Sequence, residues 1–207
     1  METLSGARVD WAVGATPHPG EHVIGDAYLV HEFPGGTLLA VVDGVGHGVE
    51  AESVARIAIS TLAANVSSSV AALITQCHAR LRGTRGATMT VASFDLSRKE
   101  LSWAGVGDVA ATLMRLDPAG RCREVNLLVR GGLIGTVLPT LQIQITPVVE
   151  GDVVILATDG VRPGFRAAYH PGRDPRDIAH RIIDEFGRGN DDALVLVGRF
   201  CGGAVTS

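Results

Sequence analysis

An unbroken apolar run that ends on an Asp-Gly pair constrains this chain more than any other feature. Residues 38–42 read LLAVV, with no alternation of apolar and polar positions, and Asp43 and Gly44 follow directly. A short run of this kind is typical of a β-strand that is buried on both faces. The glycines after it permit a tight turn and a close approach to the main chain. We therefore expect a carboxylate and an accessible backbone carbonyl at the end of a buried strand.

The rest of the chain reads as strands in series, with helices inserted between them. Apolar residues at helical spacing predict helices over residues 47–65, 70–81 and 177–187. Apolar segments bounded by turn residues predict strands at residues 8–15, 22–33, 37–42, 87–94, 100–104, 110–115, 124–130, 142–146, 153–157 and 193–200. Because strands and helices do not alternate strictly, this series favours an α+β layered domain. We expect residues 1–207 to form one such domain.

Composition and charge argue against several classes of protein. Hydrophobic residues make up 46% of the chain, which is typical of a globular protein. No apolar segment approaches the ~20 residues that span a bilayer, and a net charge of −4 without a basic cluster argues against nucleic-acid binding. The three cysteines are widely separated and form neither a disulfide framework nor a zinc motif. We therefore expect a cytoplasmic protein.

Aspartates at the ends or interruptions of the buried strands provide the clearest functional signal. They are Asp26, Asp43, Asp159 and the pair Asp191 and Asp192. A single Asp-Gly pair is most simply a turn, because aspartate caps turns and glycine tolerates positive φ. If the strands are neighbours, however, several carboxylates converge in one pocket and repel one another unless a cation binds. Oxygen ligands alone favour Mg²⁺ or Mn²⁺, and a pair of such ions activates water and holds a phosphoryl oxygen.

Six short segments between residues 20 and 200 follow one another in a recognisable order. They are GEHVIGDAY, VVDGVGHG, GATMTVASFD, WAGVGDVA, LATDGV and NDDALVLV. In order and approximate spacing they resemble the motifs of the metal-dependent PPM, or protein phosphatase 2C, superfamily and its SpoIIE-like bacterial branch. The resemblance implies a four-layer αββα sandwich, in which two antiparallel β-sheets are flanked by helix pairs. It also implies a two-metal centre at one edge of the sandwich.

The same resemblance implies a role for each aspartate. Asp43 would bridge two Mn²⁺ or Mg²⁺ ions, and the carbonyl of Gly44 would bind one of them. Asp159 and Asp191 would be the direct ligands of the other ion, whereas Asp26 would hold metal-bound waters. The activity implied is direct hydrolysis of phosphoserine or phosphothreonine by a metal-activated water.

Three positions depart from the pattern of the superfamily. The second aspartate of the DD pair is followed by Ala193-Leu194, where X-Thr is usual, and TDGV is followed by Arg162-Pro163-Gly164, where an acidic residue is common. Neither change touches a ligand position, so we expect it to affect substrate preference before activity. In eukaryotic relatives a histidine directly after the Asp-Gly pair can serve as a general acid. Here two residues separate His47 from Gly44, and both a catalytic role and a structural role at the helix start stay open.

The first predicted strand begins by about residue 8, so we expect no sensory or coiled-coil region ahead of the catalytic domain. A bare domain of this size resembles the RsbX-type feedback phosphatases of the bacterial stressosome, which act on phosphorylated STAS-domain scaffold proteins. The alternative is an RsbU- or SpoIIE-like phosphatase of a phosphorylated anti-sigma-factor antagonist. A catalytically inactive binding module is a second alternative, which the intact aspartates oppose. We expect a monomer without nucleic-acid or membrane partners.

Overall fold

The strands form two five-stranded antiparallel sheets in a computed structural model that describes residues 8–202. In chain order the elements are β1 (Val9–Thr16), β2 (Asp26–Phe33), β3 (Gly36–Gly44), α1 (Gly48–Ala63), α2 (Val70–Arg80), β4 (Ala87–Asp95), β5 (Glu100–Val106), β6 (Ala110–Leu116), β7 (Cys122–Asn126), β8 (Gln144–Pro147), β9 (Val153–Ala157), α3 (Pro175–Phe186) and β10 (Ala193–Phe200). One sheet has the order β1-β10-β9-β6-β7, and the other has the order β2-β3-β4-β5-β8. The ends of the predicted domain, residues 1 and 207, lie outside the described residues.

Strand β3 is buried on both faces, as its unbroken apolar run predicts. Leu39 and Val41 belong to the core between the two sheets, which also contains residues of β4, β5, β9 and β10. Leu38, Ala40 and Val42 point the opposite way, into the core beneath α1 and α2. Successive side chains of a strand face opposite sides, so an apolar residue is needed at every position.

The predicted sandwich of two antiparallel sheets is confirmed, and helices flank it on both sides. Helices α1 and α2 pack on the sheet that contains β3, whereas α3 packs on the sheet that contains β9 and β10. The resemblance implies a helix pair on each flank. Within residues 8–202, the second flank holds α3 together with a four-residue 3₁₀ helix, Phe165–Ala168. The order of layers is nevertheless helix, sheet, sheet, helix.

Two predicted strand boundaries are wrong. The second strand begins at Asp26 and not at residue 22, because residues 22–25 form a loop whose Gly25 N–H donates to the Asp192 side chain. The strand predicted over residues 124–130 is instead β7, Cys122–Asn126. Beyond it the chain leaves β6 and runs beside the end of β5, where the N–H of Arg130 donates to the carbonyl of Gly105. Asp26 therefore starts a strand instead of interrupting one.

The antiparallel register brings the turns that carry the predicted aspartates to one edge of the sandwich. Asp26 at the start of β2 is the direct cross-strand partner of Asp43 near the end of β3. The turn after β9 carries Asp159, and the turn before β10 carries the Asp191–Asp192 pair. These two turns approach closely at Gly160, where an added Cβ would overlap the carbonyl oxygen of Asp192.

We predict that Gly160→Ala separates these two turns. Relieving the overlap requires a backbone shift, which costs about 2 kcal/mol or more and lowers Tm by about 4–8 °C. Thermal unfolding of the purified variant measures this change. Gly131→Ala is the matched control, because nothing lies within 4 Å of a Cβ added there. Equal melting temperatures for the two variants would contradict the close packing of the turns.

Candidate metal centre

Six aspartates surround one cavity at this edge of the sandwich. The cavity has a volume of about 380 Å³, and its carboxylate lining consists of Asp26, Asp43, Asp108, Asp159, Asp191 and Asp192. All four aspartates to which the sequence assigns a role are therefore brought together. A larger groove of about 770 Å³ lies along α1 and α2, but Glu52 is the single acidic residue in its lining. The chemistry of the lining, and not its size, identifies the candidate site.

Asp26 and Asp43 face each other across the β2–β3 ladder and form the most strongly perturbed pair of the site. Burial, followed by the charge of Asp26, raises the pKa of Asp43 to about 9. Burial also raises the pKa of Asp26 to about 7, although a hydrogen bond of 2.8 Å from Thr158 Oγ1 to Asp26 Oδ2 opposes the shift. Like charges directly opposite in a sheet destabilise it. The pair therefore retains a proton near neutral pH unless a cation compensates its charge.

Asp159, which follows β9 of the other sheet, has a raised pKa for similar reasons. Partial burial raises the pKa of its carboxyl, and the charges of Asp108 and Asp191 add to the shift. The positive charge of Arg188 opposes it. The Arg188 Nε also donates a hydrogen bond of 2.6 Å to the backbone carbonyl of Asp159, which ties the turn after β9 to the loop before β10.

The two members of the DD pair are held differently. Asp192 is buried, and its two carboxylate oxygens accept hydrogen bonds from the backbone N–H groups of His18 (2.7 Å) and Gly25 (2.8 Å). Asp191 is half-buried and accepts a hydrogen bond from the N–H of Asp192. The carboxylate of Asp192 thus anchors the β1–β2 loop, whereas Asp191 has no such structural task in the described residues.

Sequence reasoning missed two titratable residues of the cavity, Asp108 and His18. Asp108 lies in the turn between β5 and β6 and accepts a hydrogen bond of 2.6 Å from Thr88 Oγ1. The family segment WAGVGDVA contains Asp108, so the sequence carried a signal for this residue. His18 lies in a loop of ordinary turn composition, and no local signal marks it.

His47 also lines the cavity, which bears on the two roles left open for it. It occupies the N-cap position of α1 but makes no capping hydrogen bond there. Its ring nitrogen Nδ1 lies instead 3.0 Å from Glu21 Oε1. A purely structural role as a helix cap therefore does not explain this side chain.

The donors around the cavity fit hard divalent cations. Carboxylate oxygens predominate, and Mg²⁺ typically binds one or two carboxylates while it keeps several waters. Burial is the main cause of the raised pKa values of Asp26, Asp43 and Asp159, and the negative charges of neighbouring aspartates add to it. Among residues 8–202 no three His, Cys, Asp or Glu side chains are arranged to hold a metal ion by themselves. The carbonyl of Gly44 stays a prediction as a ligand, because Gly44 is buried against Ala51 and is not part of the cavity lining.

Comparisons with known proteins agree on one family. Residues 34–200 match the family model described as Stage II sporulation protein E (SpoIIE). The chain is 26% identical over 183 residues to the phosphoserine phosphatase RsbX of Bacillus subtilis, which covers 87% of this chain and 89% of RsbX.

Two solved structures show the same fold. One is described as "The bacterial stressosome: a modular system that has been adapted to control secondary messenger signaling"; it is 29% identical, with a TM-score of 0.84, and covers 93% of this chain and 100% of its own. The other is RsbX in complex with magnesium, 20% identical with a TM-score of 0.82, which covers 93% of this chain and 95% of its own.

We predict that Asp43→Asn stabilises the metal-free protein, and increasingly so as the pH rises. The raised pKa means that the folded protein still binds a proton that the unfolded chain, with a carboxyl pKa near 3.8, has released. Wild-type stability should therefore fall as the pH rises from about 4 to about 9, whereas the neutral Asn escapes this loss. Relief of the repulsion is expected to contribute ~1 kcal/mol or more, or about 2–4 °C in Tm.

Thermal melts in EDTA between pH 5 and pH 9 measure this difference, and a parallel series with Mn²⁺ provides the control. Mn²⁺ should raise the Tm of the wild type, and more so as its concentration increases above Kd. It should leave the Tm of Asp43→Asn almost unchanged. If Asp43 only shapes a turn, the variant melts below the wild type at every pH, and the repulsion argument fails.

The DD pair provides a second test at the site. Asp191→Asn should abolish hydrolysis of p-nitrophenyl phosphate without lowering Tm, because this carboxylate anchors no loop. Asp192→Asn should lower Tm, since it places an amide NH₂ against one of two backbone N–H donors, and should reduce activity less. Phosphatase assays and thermal melts of both variants distinguish the roles. Equal loss of activity in two folded variants would show that the assignment of the ligand within this pair is wrong.

Proposed function

This chain belongs to the SpoIIE family, and we propose that it is a metal-dependent phosphatase of phosphoserine and phosphothreonine in a bacterial stress-signalling protein. The observation that carries this proposal is the group of six aspartates around one cavity, three of which have raised pKa values. Carboxylates held this close need compensating cations, and hard cations next to activated water are suited to phosphoryl chemistry.

The side chains have distinct tasks in this proposal. Asp43 would bridge two Mn²⁺ or Mg²⁺ ions, with the Gly44 carbonyl on one ion and with Asp159 and Asp191 on the other. When bound, the ions would supply an activated water and polarise the phosphoryl oxygens. Asp26, fixed by its hydrogen bond from Thr158, would orient the waters beside Asp43.

The rigid scaffold lets these residues act without rearrangement. Asp43 lies near the end of a strand buried on both faces, and Asp192 pins the loop that leads to Asp26. Preorganised charges lower the cost of reaching a charged transition state, because little reorganisation accompanies the reaction. The waters that the carboxylates orient would therefore meet the phosphorus from a defined direction.

The proposal also names a substrate. We infer a phosphorylated STAS-domain scaffold protein of a stressosome, with RsbX-like feedback as the role of the reaction. Similarity to RsbX and to a stressosome protein, in both cases over most of this chain, supports this choice. The alternative is a phosphorylated anti-sigma-factor antagonist, as for RsbU- or SpoIIE-like enzymes, and the match to the SpoIIE family model favours it.

None of the helices within residues 8–202 is long and apolar enough to cross a bilayer. We propose that the domain acts as a monomer on a protein substrate that it binds transiently.

We predict Mn²⁺- or Mg²⁺-dependent release of phosphate from a phosphorylated STAS-domain scaffold protein. The assay compares this substrate with a phosphorylated anti-sigma-factor antagonist at equal concentrations, and measures kcat/KM by phosphate release. EDTA should abolish both reactions, and Asp43→Asn should remain inactive when metal is restored. Faster turnover of the antagonist would favour the alternative substrate. Full activity after exhaustive chelation would contradict a metal-dependent mechanism.

A further inference from the structure

Two histidines from loops distant in sequence stack on each other at the wall of the aspartate cavity. His18 lies in the loop between β1 and β2, and His47 directly precedes α1. Both residues line the cavity. Their ring centroids are 4.6 Å apart and their planes are inclined by only 13°. A parallel arrangement of two such rings requires that both loops are held in place.

Hydrogen bonds hold each ring by the same nitrogen. The backbone N–H of His18 donates to Asp192, and its Nδ1 lies 2.9 Å from the carbonyl oxygen of Pro19. The Nδ1 of His47 lies 3.0 Å from Glu21 Oε1. A carbonyl or carboxylate oxygen only accepts, so Nδ1 carries the hydrogen in both rings. Among residues 8–202 no protein hydrogen bond involves Nε2 of either ring, which leaves this nitrogen to a ligand.

His18 and His47 differ from the other residues of the cavity lining in the charge that they can carry. Six carboxylates line the cavity, and in the part of the chain that the structure describes the two imidazoles are the only side chains of its lining that can be cationic. A phosphate monoester brings about 1.5–2 further negative charges near neutral pH. Phosphoryl oxygens that the cations do not bind would then face carboxylates, unless a donor lies between them. An imidazolium that keeps its Nδ1 hydrogen bond also carries a hydrogen on Nε2, which it can donate to an anion.

We propose that His18 donates a hydrogen bond from Nε2 to a phosphoryl oxygen of the substrate and so positions the phosphate in the cavity. His47 is a positioning residue in this arrangement, because it stacks on the His18 ring and is itself held by Glu21. This inference depends on the proposed phosphatase function and identifies how the same site recognises its substrate.

The test is binding of inorganic phosphate to the Mg²⁺-loaded protein, measured by isothermal titration calorimetry. His18→Ala should raise the phosphate Kd about tenfold or more, the worth of one hydrogen bond to a charged group. His18→Gln retains an N–H donor and should recover part of the affinity. His22→Ala is the matched control, because His22 is an exposed histidine of the same loop that does not line the cavity. Its Kd should equal that of the wild type.

Kinetics and spectroscopy separate a substrate contact from a packing role. With a phosphoserine peptide, His18→Ala should raise KM more than it lowers kcat, because the contact is already present in the ground state. In the Mg²⁺-loaded wild type, the ¹⁵N resonance of His18 Nε2 should shift when inorganic phosphate is added, and that of His22 should not. This measurement needs no variant and decides the matter if His18→Ala fails to fold.

His47→Ala should weaken phosphate binding less than His18→Ala. The double variant should lose little more than His18→Ala alone, because the two rings act as one unit. A phosphate Kd in His18→Ala equal to that of the wild type, together with an unmoved His18 resonance, would overturn the inference and leave the stack as packing. If the wild type hydrolyses its substrate normally while His18→Ala does so equally well, only this inference fails. If the wild type shows no metal-dependent hydrolysis, the proposed function itself fails.

Discussion

Repulsion between Asp26 and Asp43 is the constraint on which the rest of the site depends. The two carboxylates are direct partners across the β2–β3 ladder, and burial raises the pKa of both. Asp43 has little freedom to move away, because its strand is packed on one face against the second sheet and on the other against α1 and α2. The repulsion can therefore be relieved only by protons or by cations. A fold that maintains this arrangement gains stability when it binds metal.

The two sheets together position the aspartates that line the cavity. Strands β9 and β10 belong to the opposite sheet, yet their turns bring Asp159 and Asp191 to the cavity that Asp26 and Asp43 line. The core between the sheets sets the distance between these two halves. Asp192 joins them directly, since it precedes β10 and holds the loop before β2 by two backbone hydrogen bonds. The arrangement of the cavity aspartates thus depends on how the two sheets pack against each other.

Much of this architecture was predictable because its determinants are local. The run at residues 38–42 indicates a doubly buried strand, and the resemblance to the family segments assigned roles to four of the six cavity aspartates. The errors at β2 and β7 have a tertiary cause. Residues 22–25 are apolar enough to suggest a strand, but Gly25 donates its N–H to Asp192 and lies against Ala51, so the ladder starts only at Asp26. Residues 127–130 likewise pair with the end of β5 and not with β6 alone.

The sequence by itself determined the order of strands and helices, the α+β class, the family and the aspartates that follow buried strands. These features depend on side-chain period, turn chemistry and short motifs, all of which are read along the chain. Only the tertiary structure decided that Asp108 and His18 share the cavity, that Asp192 is an anchor, and that His18 stacks on His47. These relations join residues up to 174 positions apart. Their cause is the face-to-face packing of the two sheets, which brings turns distant in sequence to one edge of the sandwich and which no local pattern records.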